Sequence, residues 1–250
     1  MATTITITLR KGGSGKTTTA VNLASSLAKH GKKALLIDLD PQANATVSLG
    51  IDPNAPHIAD VLQGSRQIHH VINDPTKGFD VIPSNRVLAQ IEATLASDPA
   101  KYAQVLKSVI QPLQANYDYI LIDTPPSESM LTVASLVASD YALVPTQAHY
   151  LAMHGLEQAI DLINRVKDSY NDKLEIMGIV PTMVQTGTNM ATLFIDQVQT
   201  DYPNLLLPCS IPHTIKITES QLASEALTDY EPSHPASTAY MQLAKHIIER

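Results

Sequence analysis

Residues 11 to 18 read Lys11-Gly12-Gly13-Ser14-Gly15-Lys16-Thr17-Thr18. Three glycines let the backbone curl so that successive N–H groups point inward, a following helix adds its positive N-terminal end, and Lys16 brings a full charge. These are the parts of a phosphate cradle, and the Thr17 hydroxyl beside Lys16 is the natural magnesium ligand. The strict phosphate-loop pattern has glycine five residues before Gly15. Arg10 stands there instead, so the loop is a variant with an additional lysine, Lys11, at its front. From the loop's entrance Lys11 is poorly placed to serve the phosphates that Lys16 serves, and a second subunit is where it is of use.

Two acidic segments share the chemistry. Asp38-Leu39-Asp40-Pro41-Gln42 follows an apolar run, and in an extended segment the i, i+2 spacing points both carboxylates the same way. Such a pair suits magnesium coordination and the placing of an attacking water; a polar strand exit is the plain alternative. The expected division gives Asp38 the orientation of water and a share of the metal, and gives Asp40 the metal's surroundings and the loop. Tyr119-Ile120-Leu121-Ile122-Asp123 is an apolar run closed by an aspartate, the Walker B arrangement in which the carboxylate reaches magnesium, often through water. Thr124-Pro125-Pro126 stiffens the exit through proline's fixed φ, and a rigid strap there is placed to sense hydrolysis.

The elements that position these groups are legible as alternation. Ile5 to Leu9 alternates with threonines, residues 17 to 30 carry helical spacing, and Ala34 to Ile37 is a short apolar run that ends at Asp38, which together make one βαβ unit. Further strands are expected at Phe79 to Ile82, Tyr119 to Ile122, Tyr141 to Val144, Ile176 to Val180 and Leu205 to Leu207, and helices at roughly 86 to 114, 151 to 170, 188 to 200 and 236 to 249. The expectation is an α/β fold over residues 1 to 250: a single domain with a mostly parallel twisted sheet flanked by helices on both faces. Ligands of such sheets bind at the carboxyl ends of strands, so Lys11 to Thr17, Asp38 and Asp123 should converge.

Composition narrows the classes. The chain has 250 residues, 44% of them apolar and 16% charged, enough for one large core. One cysteine, Cys209, excludes an internal disulfide framework and reads as a structural thiol in a reducing compartment, with the cytoplasm as the expected location. No apolar run approaches the roughly 20 residues that cross a bilayer. The net charge is −7, and residues 151 to 250 hold 12 acidic against 6 basic side chains, so binding to nucleic acid needs a local basic patch. His69-His70 lies in a polar stretch without a second ligand pair, which disfavours zinc.

In their order, Lys11 to Thr18, Asp38-Leu39-Asp40-Pro41-Gln42 and Asp123-Thr124-Pro125-Pro126 resemble the ParA/MinD family of deviant Walker ATPases, and Val144-Pro145-Thr146-Gln147, Thr182-Met183, Ile211-Pro212 and Ala239-Tyr240 resemble later blocks of its short ParA branch. The resemblance runs nearly end to end. It implies a P-loop NTPase fold and Mg-dependent hydrolysis of ATP, with ATP and Mg2+ as cofactors. Lys11, Gly12, Gly13, Ser14, Gly15, Lys16, Thr17 and Thr18 would hold the nucleotide, Met183 and Pro212 would lie near the adenine, and Thr17, Asp38 and Asp123 would serve the metal. Lys11, as the signature lysine, would reach across a homodimer formed face to face around two ATP molecules, and Lys11, Lys16, Asp38 and Asp40 would carry the catalysis.

The same resemblance implies non-specific binding to nucleoid DNA and an adaptor, ParB-like or McdB-like, that stimulates hydrolysis, so that a plasmid, a chromosome or a protein assembly such as the carboxysome is partitioned or positioned. The chain departs from the family pattern at His213, where an arginine is usual, and at His149 and His154, where acidic residues are frequent. Lys216, Arg165, Lys167 and Lys245 are the DNA-contacting candidates. Because the chain begins at its first strand, no N-terminal helix-turn-helix extension is expected. Two other classes compete. A MinD-like regulator on a membrane would need a basic amphipathic C-terminal helix, whereas residues 241 to 250 read better as a helix packed on the sheet, and no membrane partner is expected. A metabolic P-loop enzyme is the other.

Overall fold

The computed structural model describes residues 1 to 76, 78 to 95, 99 to 185 and 187 to 250. The chain opens with β1 (Thr3–Ile7), α1 (Lys16–Lys29) and β2 (Ala34–Asp38). Two short helices, α2 (Asn44–Ser48) and α3 (Ile58–Leu62), lead to β3 (Asn73–Thr76) and β4 (Phe79–Ile82). Then come α4 (Val87–Leu95), α5 (Pro99–Ile110), β5 (Tyr119–Asp123), α6 (Met130–Val137), β6 (Tyr141–Gln147), α7 (Met153–Ser169) and β7 (Glu175–Thr182). The last helices are α8 (Asn189–Asp201), α9 (Lys216–Leu222), α10 (Leu227–Tyr230) and α11 (Pro235–Ile248).

The seven strands form one sheet in the order β3-β4-β2-β5-β1-β6-β7, with β3 antiparallel to β4 and every other pair parallel. Alternate residues of the central strands enter opposite cores, as the pleat demands. Leu36, Leu121 and Leu143 pack with α1, α10 and α11. Leu35, Ile37, Ile120 and Ile122 meet α3 to α6 on the other face, which Ala142, Val144 and Ile179 continue beneath α7 and α8. Burial on both faces explains why the strands read as near-continuous apolar runs.

Two sequence expectations change. Leu205 to Leu207 does not add a strand: it meets β7 at one bridge, Ile179 to Leu206, with the Ile179 N–H donating to the Leu205 carbonyl at 2.6 Å. The approach is so close that a Cβ on Gly178 would lie 2.5 Å from the Leu207 side chain. The helical stretch at 86 to 114 is two helices, α4 and α5, and a one-turn 3-10 segment, Gln111–Ala115; residues 96 to 98 lie outside the described residues.

Candidate functional site

The phosphate loop leaves β1 at the carboxyl end of the sheet's centre and feeds α1. Gly13 and Gly15 have φ of 71° and 88°, left-handed values that glycine adopts without strain, and Gly15 is the residue that caps α1. The loop is propped from below by Thr182 at the end of β7, whose hydroxyl donates to the Ser14 carbonyl at 2.8 Å. Lys16 is the first residue of the helix, buried, with its ammonium donating to the Lys11 carbonyl at 3.4 Å. Burial lowers its pKa, and the carboxylates of Asp123 and Asp40 oppose that shift, so the ammonium sits in a pocket of negative charge.

β2 and β5 are neighbours, and their last residues, Asp38 and Asp123, are register partners. Both are fully buried. Burial is the largest cause of Asp123 titrating well above the usual carboxylate range, the charge of Asp38 adds to it, and Thr17 and Lys16 pull the other way. The Thr17 hydroxyl is near enough to moderate that shift, yet neither Asp123 oxygen has a hydrogen bond of acceptable geometry. A buried carboxylate without a partner is costly, and a cation beside it would compensate it. The Ser14 hydroxyl, buried at the loop, is likewise unpartnered.

Asp38 and Asp40 lie close enough for their charges to act on each other and on Asp123, and each is held by its own hydrogen bonds. The strand ends at Asp38, and the chain then turns through Ala43, whose φ is 56°. Asp38 Oδ2 accepts from the backbone N–H and the hydroxyl of Thr46 at 2.9 and 2.7 Å, while Oδ1 accepts the Asp40 N–H at 3.1 Å. Burial still pushes the Asp38 carboxyl up to about 6. Asp40 accepts the Gln42 N–H at 2.9 Å and lines an open cleft of about 510 Å3.

Gly12 to Thr18 form the floor of this cleft, with Asn44, Val47 and Ser48 of α2 on one side and Pro126, Met183, Thr218, Gln221 and Leu222 around it. Gly15, Thr18, Met183 and Thr218 also line a second, smaller hollow of about 180 Å3 walled by Ile211, Pro212 and Tyr240. The two cavities share these four residues, so a charged cradle continues into an apolar slot, a shape that suits a polyphosphate joined to a flat ring. Met183 lies in both and Pro212 in the slot. Sequence reasoning did not find Asn44, Ser48, Thr218 or Gln221, none of which carries a motif.

The basic candidates are not brought together. Lys216 begins α9 and Lys245 lies on α11, whereas Arg165 and Lys167 lie on α7 against the opposite sheet face. Lys216 pairs with Glu219 and Glu231 at 2.8 and 3.6 Å, and Glu219 raises its pKa; Arg165 reaches Glu128 at 3.6 Å and Lys245 reaches Glu249 at 3.8 Å. Arg10 points outward and pairs with the same Glu128 at 3.5 Å. Cys209 is half-buried, and burial alone pushes its thiol up to about 11, the behaviour of a packing residue.

A parallel sheet covered on both faces, with a glycine loop from its central strand opening a helix at a lysine and threonine, defines a P-loop nucleotide-binding protein. A family model described as an AAA domain matches residues 2 to 176. Among curated relatives, sporulation initiation inhibitor protein Soj of Bacillus subtilis is 35% identical over 250 residues, covering 99% of this chain and 98% of Soj. Chromosome partitioning protein ParA of Caulobacter vibrioides is 34% identical over 251 residues, covering 98% and 94%. Among solved structures, cobyrinic acid a,c-diamide synthase of Mycobacterium smegmatis with bound ADP and magnesium matches with a TM-score of 0.87 at 29% identity, over 99% of this chain and 94% of that one. McdA of Cyanothece in its apo form matches with a TM-score of 0.89 at 25% identity, over 99% and 100%. The chain belongs to the ParA/MinD family of P-loop ATPases.

Proposed function

We propose that this chain is a ParA-type positioning ATPase: it binds ATP with magnesium in the cleft, pairs with a second copy across the cleft mouth, and holds nucleoid DNA in that state. A cargo adaptor, ParB-like or McdB-like, then stimulates hydrolysis and releases it, so that a plasmid, a chromosome or a protein assembly is moved or spaced. The observation that carries this reading is the buried, unpartnered carboxylate of Asp123 in the field of Lys16 below a glycine loop that opens into an apolar slot. That arrangement fits a triphosphate with a divalent cation, which would complete the compensation that Lys16 only begins.

The residues divide the work by their placement. The N–H groups of Gly12 to Thr18 and the Lys16 ammonium hold phosphate oxygens, and Met183 and Pro212 receive the base. Thr17 and Asp123 hold the metal, with Asp38 and Asp40 ordering the carboxylate side of the site and the attacking water. Magnesium bound there supplies the charge that offsets the terminal phosphates in the transition state. Lys11, half-buried at the loop's front, is available to phosphates bound by a partner subunit. The cleft mouth is suited to a second copy: Val47 and Leu222 line it, Ile215 lies just before α9, and the three are 55, 83 and 69% exposed.

Lys11→Ala tests the cross-subunit role. It should keep ATP binding and lose ATP-dependent dimerisation, read by light scattering with a slowly hydrolysed analogue; a variant as dimeric as the parent would remove Lys11 from the interface. DNA contact is proposed at Lys216, Lys245, Arg165 and Lys167, and the ion pairs of three of them must open for phosphate to take their place. Lys216→Glu should weaken retention on DNA about tenfold with the ATP dimer intact; unaltered retention places the contact elsewhere.

The membrane-regulator reading loses its main support. α11 turns Ala236, Ala239, Tyr240, Leu243, Ala244 and Ile247 into the core beside α1, so the apolar face that a bilayer would need is already covered. No helix among the described residues is long and apolar enough to cross a membrane. The likeness to the diamide synthase favours a second reading, a biosynthetic enzyme that spends ATP on a small substrate. Nucleotide-dependent dimerisation and DNA retention without such a substrate separate the two.

A further inference from the structure

The geometry points to Thr46 as the positioning residue for Asp38, saturating one carboxylate oxygen so that the other is left to work. A carboxylate offers about four lone-pair sites, two on each oxygen. Thr46 fills both sites of Oδ2, with its backbone N–H at 2.9 Å and its hydroxyl at 2.7 Å. Oδ1 accepts the Asp40 N–H at 3.1 Å, which leaves one site, and that site is on Oδ1.

Thr46 is itself held. Its oxygen accepts the backbone N–H of Ser84, just beyond β4, at 2.9 Å, so the hydroxyl hydrogen is directed to Asp38. Asp38, Thr46 and Ser84 are all fully buried, where such a chain of hydrogen bonds is strong and few alternative arrangements exist. The placement also couples the carboxylate to the cleft. Thr46 sits in the middle of α2, whose Asn44, Val47 and Ser48 line the cleft, and the Ala43 N–H that opens the helix donates to the Asp40 carbonyl at 2.8 Å. A movement of α2 on nucleotide binding or on pairing therefore moves the Asp38 carboxylate with it. No proton changes owner in this role; Thr46 acts through Asp38 and touches no substrate.

The inference rests on Asp38 serving hydrolysis, and the experiment separates the two claims. Steady-state ATP turnover is measured for the full chain and for Thr46→Val, Thr46→Ala, Thr46→Ser, Asp38→Asn and Asp38→Asn/Thr46→Val, with thermal melting alongside. Thr46→Val and Thr46→Ala should both lower kcat about tenfold or more with KM within about twofold, and Thr46→Ser, which keeps both hydrogen bonds, should stay within about threefold of the parent. Adding Thr46→Val to Asp38→Asn should change kcat by less than about twofold, since the group that Thr46 positions is already gone. A full kcat in Thr46→Val and Thr46→Ala beside a slow Asp38→Asn would overturn the role of Thr46 alone, as would an undiminished effect of Thr46→Val in the Asp38→Asn background. A normal kcat in Asp38→Asn would overturn the role of Asp38 and this inference with it. If Thr46→Val fails to fold, Thr46→Ala, which removes the same hydroxyl without the branched replacement, gives the result.

Discussion

Asp123→Asn is expected to stabilise the nucleotide-free chain and at the same time to abolish most of its magnesium-dependent ATP turnover. The carboxylate is fully buried, both of its oxygens lack a hydrogen bond, and burial together with the Asp38 charge holds it well above the usual carboxylate range. An amide of the same shape carries no charge, so the repulsion from Asp38 and the desolvation of an anion disappear together, and these outweigh the lost attraction to Lys16, as the upward shift of Asp123 shows. The melting temperature without ligand should rise by about 3 °C or more, the scale that 1 kcal/mol sets for a chain of this size. Turnover should fall about 100-fold or more, because the position then contributes no charge to the metal. A variant that melts below the parent would show that Asp123 is compensated in the free chain, and one that turns over normally would remove it from the metal site.

Lys16→Ala has the second large effect, on binding itself. The ammonium is buried at the start of α1 and draws on the carboxylates of Asp123 and Asp40 to keep its charge. It is the one full positive charge that the loop directs into the cleft floor, joined there by the N–H groups of Gly12 to Thr18. Removing it should weaken ATP about 100-fold or more, roughly 3 kcal/mol, with the helical circular dichroism unchanged. Lys16→Arg should not restore binding, since a planar guanidinium does not fit the space of a buried ammonium. ATP affinity in Lys16→Ala within a few fold of the parent would contradict the placement of the phosphates.

The parts of this site legible in the sequence are those fixed by local rules. Lys11 to Thr18 has few other structures open to it, because Gly13 and Gly15 meet left-handed φ values and the helix must start at Lys16. Asp38 and Asp123 could be placed at strand ends because buried parallel strands read as apolar runs, and an aspartate that closes such a run stands at the carboxyl edge. The hydrogen bonds that hold Asp38 and Asp40 were not legible. The i, i+2 rule holds only inside a strand, and the strand ends at Asp38. What holds the Asp38 carboxylate is Thr46 on a helix of five residues, too short to show a periodic pattern.

The same limit hid α6. Its residues are apolar almost throughout because it is buried between neighbours, so no stripe appears, although Ser129, whose side chain accepts the Thr132 N–H, was a usable start signal. Leu205 to Leu207 was misread for the opposite reason: a short apolar run looks like a strand whether it pairs along its length or at one residue. The charge count was right in total and silent on pairing. Nothing in the spacing of Lys216 to Glu231 says that the two meet, and they lie 3.6 Å apart once α9 and the segment after α10 are in place.

The most direct test of the positioning-ATPase reading is retention of the full chain on non-specific double-stranded DNA with ATP and magnesium, with ADP and magnesium, and without nucleotide, at low and moderate salt, with oligomeric state followed in parallel. Retention should require ATP, accompany a dimer and weaken as salt rises, because each phosphate contact made by a basic side chain releases a counterion. Retention that is equal in all three nucleotide conditions, or an ATP dimer that leaves DNA free even at low salt, would contradict it.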